Sequence, residues 1–168
     1  GWSIVSGSNS NILTVIPRNT IGNIIAHEVN GCANLRDTLP VTVRPATIAG
    51  NVTSDNEVCE GVNSSPLTLN GNLGNVLNWL SSTDGINWVI VPNTTTAYTA
   101  QNLNTTTIYR ALVQNGSSCS IDTSEEATIT VDPKSVGGQL NPADMDFCLG
   151  QYKDATLTLK GKVGNVQY

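Results

Sequence analysis

Apolar residues along this chain alternate with polar ones in short runs, and Gly, Asn, Pro and Ser separate the runs. In one run Leu67 and Leu69 fall on one face while Thr68 and Asn70 take the other; in another Ala127, Ile129 and Val131 alternate with Thr128 and Thr130. A period of two is what a strand with one buried face requires. No window carries the 3.6-residue period of an amphipathic helix. The pattern predicts strands near 2–5, 12–16, 23–29 and 39–43. A second set is expected near 48–52, 57–59, 67–69, 76–81, 88–91, 98–100, 108–113 and 127–131, and a third near 139, 146–148, 156–159 and 166. Short strands at this spacing predict an all-β fold, a sandwich or barrel.

The alternation also repeats at long range. LTLKGKVGNV at 157–166 copies LTLNGNLGNV at 67–76, with seven of ten positions identical at an offset of 90. VTVRP at 41–45 matches ITVDP at 129–133, offset by 88. Cys32 precedes Cys119 by 87 residues and Cys59 precedes Cys148 by 89, and an Asn-Gly pair stands just ahead of Cys32 and of Cys119. A period of about 88 is near the size of an immunoglobulin-like domain. Proline ends the last strand of each period because it lacks the donor a continuing ladder needs. The chain therefore reads as tandem immunoglobulin-like sandwiches: the C-terminal part of one domain (1–45), a complete domain (46–133), and the N-terminal part of a third (134–168).

Within the complete domain, Trp79 occupies the place of a core tryptophan on strand C. The stretch L-N-T-T-T-I-Y ending at Tyr109 resembles the tyrosine corner of fibronectin-III and immunoglobulin-like domains, whose hydroxyl bonds back to upstream backbone and pins a loop. Asp84-Gly85, between two apolar alternating runs, reads as a hairpin turn that needs positive φ. The surrounding S-T-D-G-I-N-W resembles the Asp-box hairpin of sialidase-like propellers, one residue short of that pattern. Trp88 is a candidate for stacking on a sugar, against the plainer expectation that it packs beside Trp79 across the hairpin.

Composition narrows the function. A net charge of −5 leaves no basic surface for nucleic acid or for an anionic membrane. No apolar run approaches the roughly 20 residues that span a bilayer, and no signal peptide is visible. The chain starts at Gly1-Trp2 and its single Met is Met145, which reads as a segment of a longer polypeptide. The one histidine is His27, so 46–133 holds neither a Ser-His nor a Cys-His pair, and its carboxylates are scattered. No enzyme and no cofactor are expected.

Four cysteines at repeating places read as a disulfide framework of an exported protein. Pairs Cys32–Cys59 and Cys119–Cys148 would cross domain boundaries. A disulfide needs Cα atoms within about 7 Å, which makes Cys59–Cys119 inside the complete domain the expected bond. Cys32 and Cys148 are then partnered outside the segment. Zinc has no ligand-spaced set. Asp55 with Glu57, and Asp144 with Asp146, recur just ahead of their cysteines as weak calcium candidates, though two carboxylates fall short of the six to eight oxygens Ca²⁺ takes.

Nearly the whole chain, in particular C-E-G…LTLNGNLGNVLNWLSSTDGINW…YTAQNLNTTTIYRALVQNGSSC…ATITV, resembles the repeats of giant surface adhesins from gliding Bacteroidetes, the SprB-like gliding-motility adhesins. Residues 1–45 look more like the PKD-like variant found in the same proteins. The resemblance implies type IX secretion, display as a long cell-surface filament, adhesion in gliding motility, and neighbouring repeats and a surface polysaccharide or substratum as partners. It carries no catalytic residue across. The alternative is a carbohydrate-binding module of a secreted protein.

Overall fold

The computed structural model describes residues 2–7, 11–18, 21–30, 33–53, 56–150 and 154–167. Cys32 and Asp55 lie outside them. Among the described residues every regular element is a strand: β1 (Ser3–Ser6), β2 (Thr14–Ile16), β3 (Gly22–Asn30), β4 (Ala33–Val41), β5 (Asn51–Thr53), β6 (Asn56–Cys59), β7 (Ser64–Asn70), β8 (Asn75–Ser82), β9 (Val89–Val91), β10 (Ala97–Gln101), β11 (Thr107–Gln114), β12 (Ile121–Thr123), β13 (Ala127–Asp132), β14 (Gln139–Asn141) and β15 (Thr158–Lys160). The all-β fold is as the alternation predicts. No helix of the described residues is long and apolar enough to cross a membrane.

Two sheets make a sandwich from β5 to β13. The smaller has the order β10-β7-β5; the larger has β6-β13-β11-β8-β9, with β12 also paired to β11. The chain switches sheets between β5 and β6, and β6 runs parallel to β13. Each sheet turns one face inward. On β7 Ser65, Leu67 and Leu69 are buried, and on β11 Thr107, Tyr109, Ala111 and Val113 are. Trp79 is fully buried between them, and its indole Nε1 donates to Thr95 O at 2.9 Å, so burial leaves no unsatisfied donor. Its ring meets Tyr98 at 5.9 Å between centroids, and Tyr98 meets Tyr109 at 5.7 Å, both tilted as aromatic quadrupoles prefer.

The long-range repeat has a structural counterpart. Val52 faces Leu69 and Thr53 faces Thr68 in the β5–β7 pair; Leu140 faces Leu159 and Asn141 faces Thr158 in β14–β15. The bridge Ile48–Leu73 recurs as Val136–Val163. Gly71 and Gly161 share a φ of 72°, with nothing near the position a Cβ would take, so the backbone conformation alone favours glycine there. Asn72 Nδ2 caps Gly74 O at 3.0 Å, and Lys162 Nζ caps Gly164 O at 3.0 Å. Different side chains therefore hold the same turn.

What differs is cover. Val52 and Leu67 are 6% and 1% exposed, whereas their counterparts Leu140 and Leu157 are 57% and 54%. Residues 146–148, expected as a strand, form none. Their counterpart β6 exists by pairing with β13, and among the described residues of 134–168 no such partner strand occurs. In 1–45 the strands form two hairpins, β1–β2 and β3–β4, the latter with nine pairs in register from Gly22↔Val41 to Asn30↔Ala33.

Candidate functional site on the outer face of the larger sheet

Strand parity decides where the two tryptophans go. Trp79 faces Val91, Leu80 faces Ile90 and Ser81 faces Val89, so Trp88 falls opposite Ser82, on the face away from Trp79. The expected packing of the two tryptophans is therefore not made. Arg110, the cross-strand partner of Leu80, shares the outer face with Trp88. Its guanidinium carbon lies 3.6 Å from the centroid of the Trp88 ring, and its Nη1 reaches Glu126 Oε1 at 3.3 Å. A cation over an indole face contributes about 0.5–1 kcal/mol at an exposed site. Arg110 Nε is buried with no hydrogen-bond partner, as a guanidinium laid flat on a ring leaves its in-plane donors to one side. Trp88 is half-buried.

The loop that delivers Trp88 is built on Ser82 and Asp84. Ser82 Oγ accepts from Gly85 N at 2.9 Å and donates to Asp84 Oδ1 at 2.9 Å. Asp84 Oδ1 accepts from Asn87 N at 2.7 Å and Ile86 N at 2.8 Å, and Oδ2 accepts from Asn87 Nδ2 at 2.7 Å. The Asn87 N–H, the Asn87 amide, the Ile86 N–H and the Ser82 hydroxyl, in that order, hold the Asp84 carboxyl well below the ordinary carboxylate range. Gly85 has φ 72° as the turn reading requires; Asp84 does not join it, because β8 and β9 are joined by residues 83–88 and not by a two-residue turn.

Tyr109 contributes its ring to the core, and burial, then the neighbouring Tyr98, pushes its hydroxyl pKa up to about 12. The loop that a tyrosine corner would pin is held by Asn63. Its Nδ2 donates to Cys59 O at 2.8 Å and Leu103 O at 2.7 Å, its Oδ1 accepts from Leu103 N at 2.9 Å, and its carbonyl accepts from Asn102 N at 3.1 Å. Sequence reasoning missed Asn63. An Asn four residues after a strand cysteine carries no signal by itself.

The expected disulfide fails on geometry. Cys59 stands beside Asp132, at the end of β6 and β13 where the chain leaves the sandwich. Cys119 lies past β11 at the opposite pole, where its Sγ donates to Pro45 O at 3.4 Å. Ile129 is level with Thr107, so Asp132 and Gln114 lie beyond each other's ends. The strand length between them is about 30 Å at ~3.4 Å per residue, against the ~7 Å limit. Cys59, Cys119 and Cys148 are all free thiols.

Of the calcium candidates, Glu57 sits next to Asp132, and the hydrogen bond its protonated carboxyl donates to Asp132, then the Asp132 charge, raises the Glu57 pKa. Asp144 and Asp146 lie on the exposed segment that forms no strand. No group of three or more metal-ligating side chains occurs among the described residues. His27 Nε2 accepts from Arg36 Nε at 2.8 Å across the β3–β4 hairpin.

No curated protein matches the chain. Residues 48–133 match the family described as Domain of unknown function (DUF8696). That span opens at Ile48, whose backbone bridges Leu73, and closes at the proline after β13, so it contains the whole sandwich. It covers just over half of the 168 residues. The chain belongs to the DUF8696 family of unknown function.

Proposed function

We propose that the chain is a non-enzymatic segment of a tandem array of immunoglobulin-like units, exported to the cell surface as part of an adhesin filament that supplies reach and attachment. The observation that carries this reading is the second construction of one strand pair, β5–β7 and β14–β15, with its bridge and its capped turn about 88 residues further on. In a quasi-linear array each unit contacts mainly its neighbours. The uncovered Leu140 and Leu157 are what such a unit presents where its second sheet is not in place. Units 1–45, 46–133 and 134–168 are read in this frame, with neighbouring repeats and a surface polysaccharide or substratum as partners. Antibodies against the 168-residue chain test it on the cells that encode it. Labelling of intact cells that external protease removes is expected; labelling only after permeabilisation would overturn the surface reading.

A carbohydrate-binding module is the second reading, favoured by the placement of Trp88 outside the core. A glycan array separates the two. Binding that Trp88→Ala abolishes while the fold survives supports the second reading, and a blank array removes it.

A further inference from the structure

We infer that Cys59 and Cys119 are halves of an inter-unit disulfide, in which Cys59 of one unit bonds the Cys119 counterpart of the unit that follows. The inference rests on the tandem-array reading and concerns its junctions.

Two halves of the geometry are visible at the two poles of the central sandwich. At the entry pole, the loop after β11 grips the incoming linker. Cys119 Sγ and Asn115 Nδ2 both donate to Pro45 O, at 3.4 and 3.0 Å; Asn115 N donates to Thr47 Oγ1 at 3.0 Å; and Thr47 Oγ1 donates to Ser120 O at 2.7 Å. The cysteine is fixed in that loop by Cys119 N→Gly116 O at 3.1 Å and Gln114 Nε2→Cys119 O at 2.7 Å. At the exit pole, Cys59 is the cross-strand partner of Asp132, and Glu60 N donates to Asp132 O at 2.8 Å. The outgoing linker stays close: the side chain of Lys134 lies 3.2 Å from where a Cβ on Gly61 would stand.

The period superposes the two poles. Moving 88 residues along carries Pro45 onto Pro133 and Thr47 onto Ser135, which keeps both the carbonyl and the hydroxyl that the loop grips. A following unit that holds 133–135 as the central one holds 45–47 places its loop cysteine at Pro133 O. Pro133 is one residue from Asp132, so its Cα is about 6 Å from that of Cys59, from a ~4.8 Å strand spacing and a ~3.8 Å residue step. A loop cysteine whose Sγ lies against Pro133 O, as Cys119 Sγ lies 3.4 Å from Pro45 O, shares that pole with Cys59, and the bond closes where their Cα atoms come within ~7 Å. The central unit carries one cysteine at each pole, so Cys59 and Cys119 do not meet within it. In the reaction both thiols lose their protons and one electron each, the S–S bond forms, and an external disulfide accepts the two electrons and becomes two thiols.

The test inserts a second copy of 46–133 after Pro133 of the full chain, with Cys32→Ser and Cys148→Ser throughout. One variant keeps only Cys59 of the first copy and Cys119 of the second. A control keeps only Cys59 and Cys119 of the first copy. Both are equilibrated with glutathione disulfide, alkylated and mapped without reduction, with Trp79 emission and small-angle scattering recorded on the same samples. The junction variant is expected to lose both free thiols to one intramolecular link, and the control to keep both. A link in the control, or two free thiols in a junction variant that is folded and extended, overturns the disulfide and leaves the array intact. Free thiols in a folded chain that scatters as one compact body overturn the array reading together with it.

Discussion

Asn63→Ala removes three side-chain hydrogen bonds at once: the donations to Cys59 O and Leu103 O, and the acceptance from Leu103 N. The Asn102 N to Asn63 O bond is made by backbone and survives the substitution. Each net hydrogen bond is worth about 1 kcal/mol; Leu103 O keeps the bond from Gly61 N at 3.1 Å, whereas the freed Leu103 N–H is half-buried, so water replaces its partner only in part. The expected loss is about 2–3 kcal/mol. For a unit of this size each kcal/mol moves Tm by about 4–8 °C, which predicts a fall of roughly 10–20 °C. The assay is urea unfolding followed by the emission of buried Trp79, with the slope m unchanged and the midpoint lowered. Asn63→Asp is the companion variant: it keeps the acceptor for Leu103 N but sets a charge against two carbonyls, so it is at least as costly at neutral pH. A loss below about 0.5 kcal/mol for Asn63→Ala would refute the assignment of this loop's anchorage to one side chain.

Three further outcomes follow from the outer face and its edges. Arg110→Ala uncovers the Trp88 ring, lowers stability by about 1 kcal/mol, and makes a second tryptophan accessible to iodide quenching; unchanged quenching would contradict the stacked geometry. Asp84 has its pKa lowered in the folded chain, so its contribution to stability is present above the unfolded value near pH ~4 and is lost as pH falls through the folded one. Asp84→Asn is therefore expected to be less stable than the parent at neutral pH, with the gap closing in acid, and a pH-independent gap would dismiss the carboxylate's role. Glu57 has its pKa raised by Asp132, so ionising it opposes folding as pH rises through the raised value. Glu57→Gln is expected to raise the denaturation midpoint at pH 7 and to match the parent in acid; a lowered midpoint at pH 7 would reverse the sign of that interaction.

Strand existence was legible wherever alternation was strong. The expected strands at 76–81 and 108–113 became β8 and β11, each slightly longer because hydrogen-bonded pairing continues past the last apolar residue. Two failures have clear causes. β4 was expected only at its end, 39–43, since NLRDT carries no one-sided burial; its pairing with β3 is made by backbone, with Leu35 and Leu39 left exposed. The strand at 146–148 was expected from its local pattern, but a ladder needs a partner that local pattern does not supply. At the site, Asp84 and Gly85 were visible as a turn, whereas the Arg110–Trp88 contact was not. It depends on the register of β8 with both β9 and β11, which a one-residue slip would reverse. The disulfide expectation failed because β6 runs parallel to β13, carrying Cys59 to the exit pole.

The central claim is that these units add length and not bulk. Small-angle scattering on the full chain with one, two and three extra copies of 46–133 inserted after Pro133 measures it directly. The eight-residue strands β8 and β11 give about 27 Å at ~3.4 Å per residue, and the loops at both poles bring the expected gain to roughly 35 Å in maximum dimension per copy. A constant increment near that value is the predicted result. A radius of gyration that instead grows as the ~0.38 power of chain length, as a single compact body does, would contradict the array.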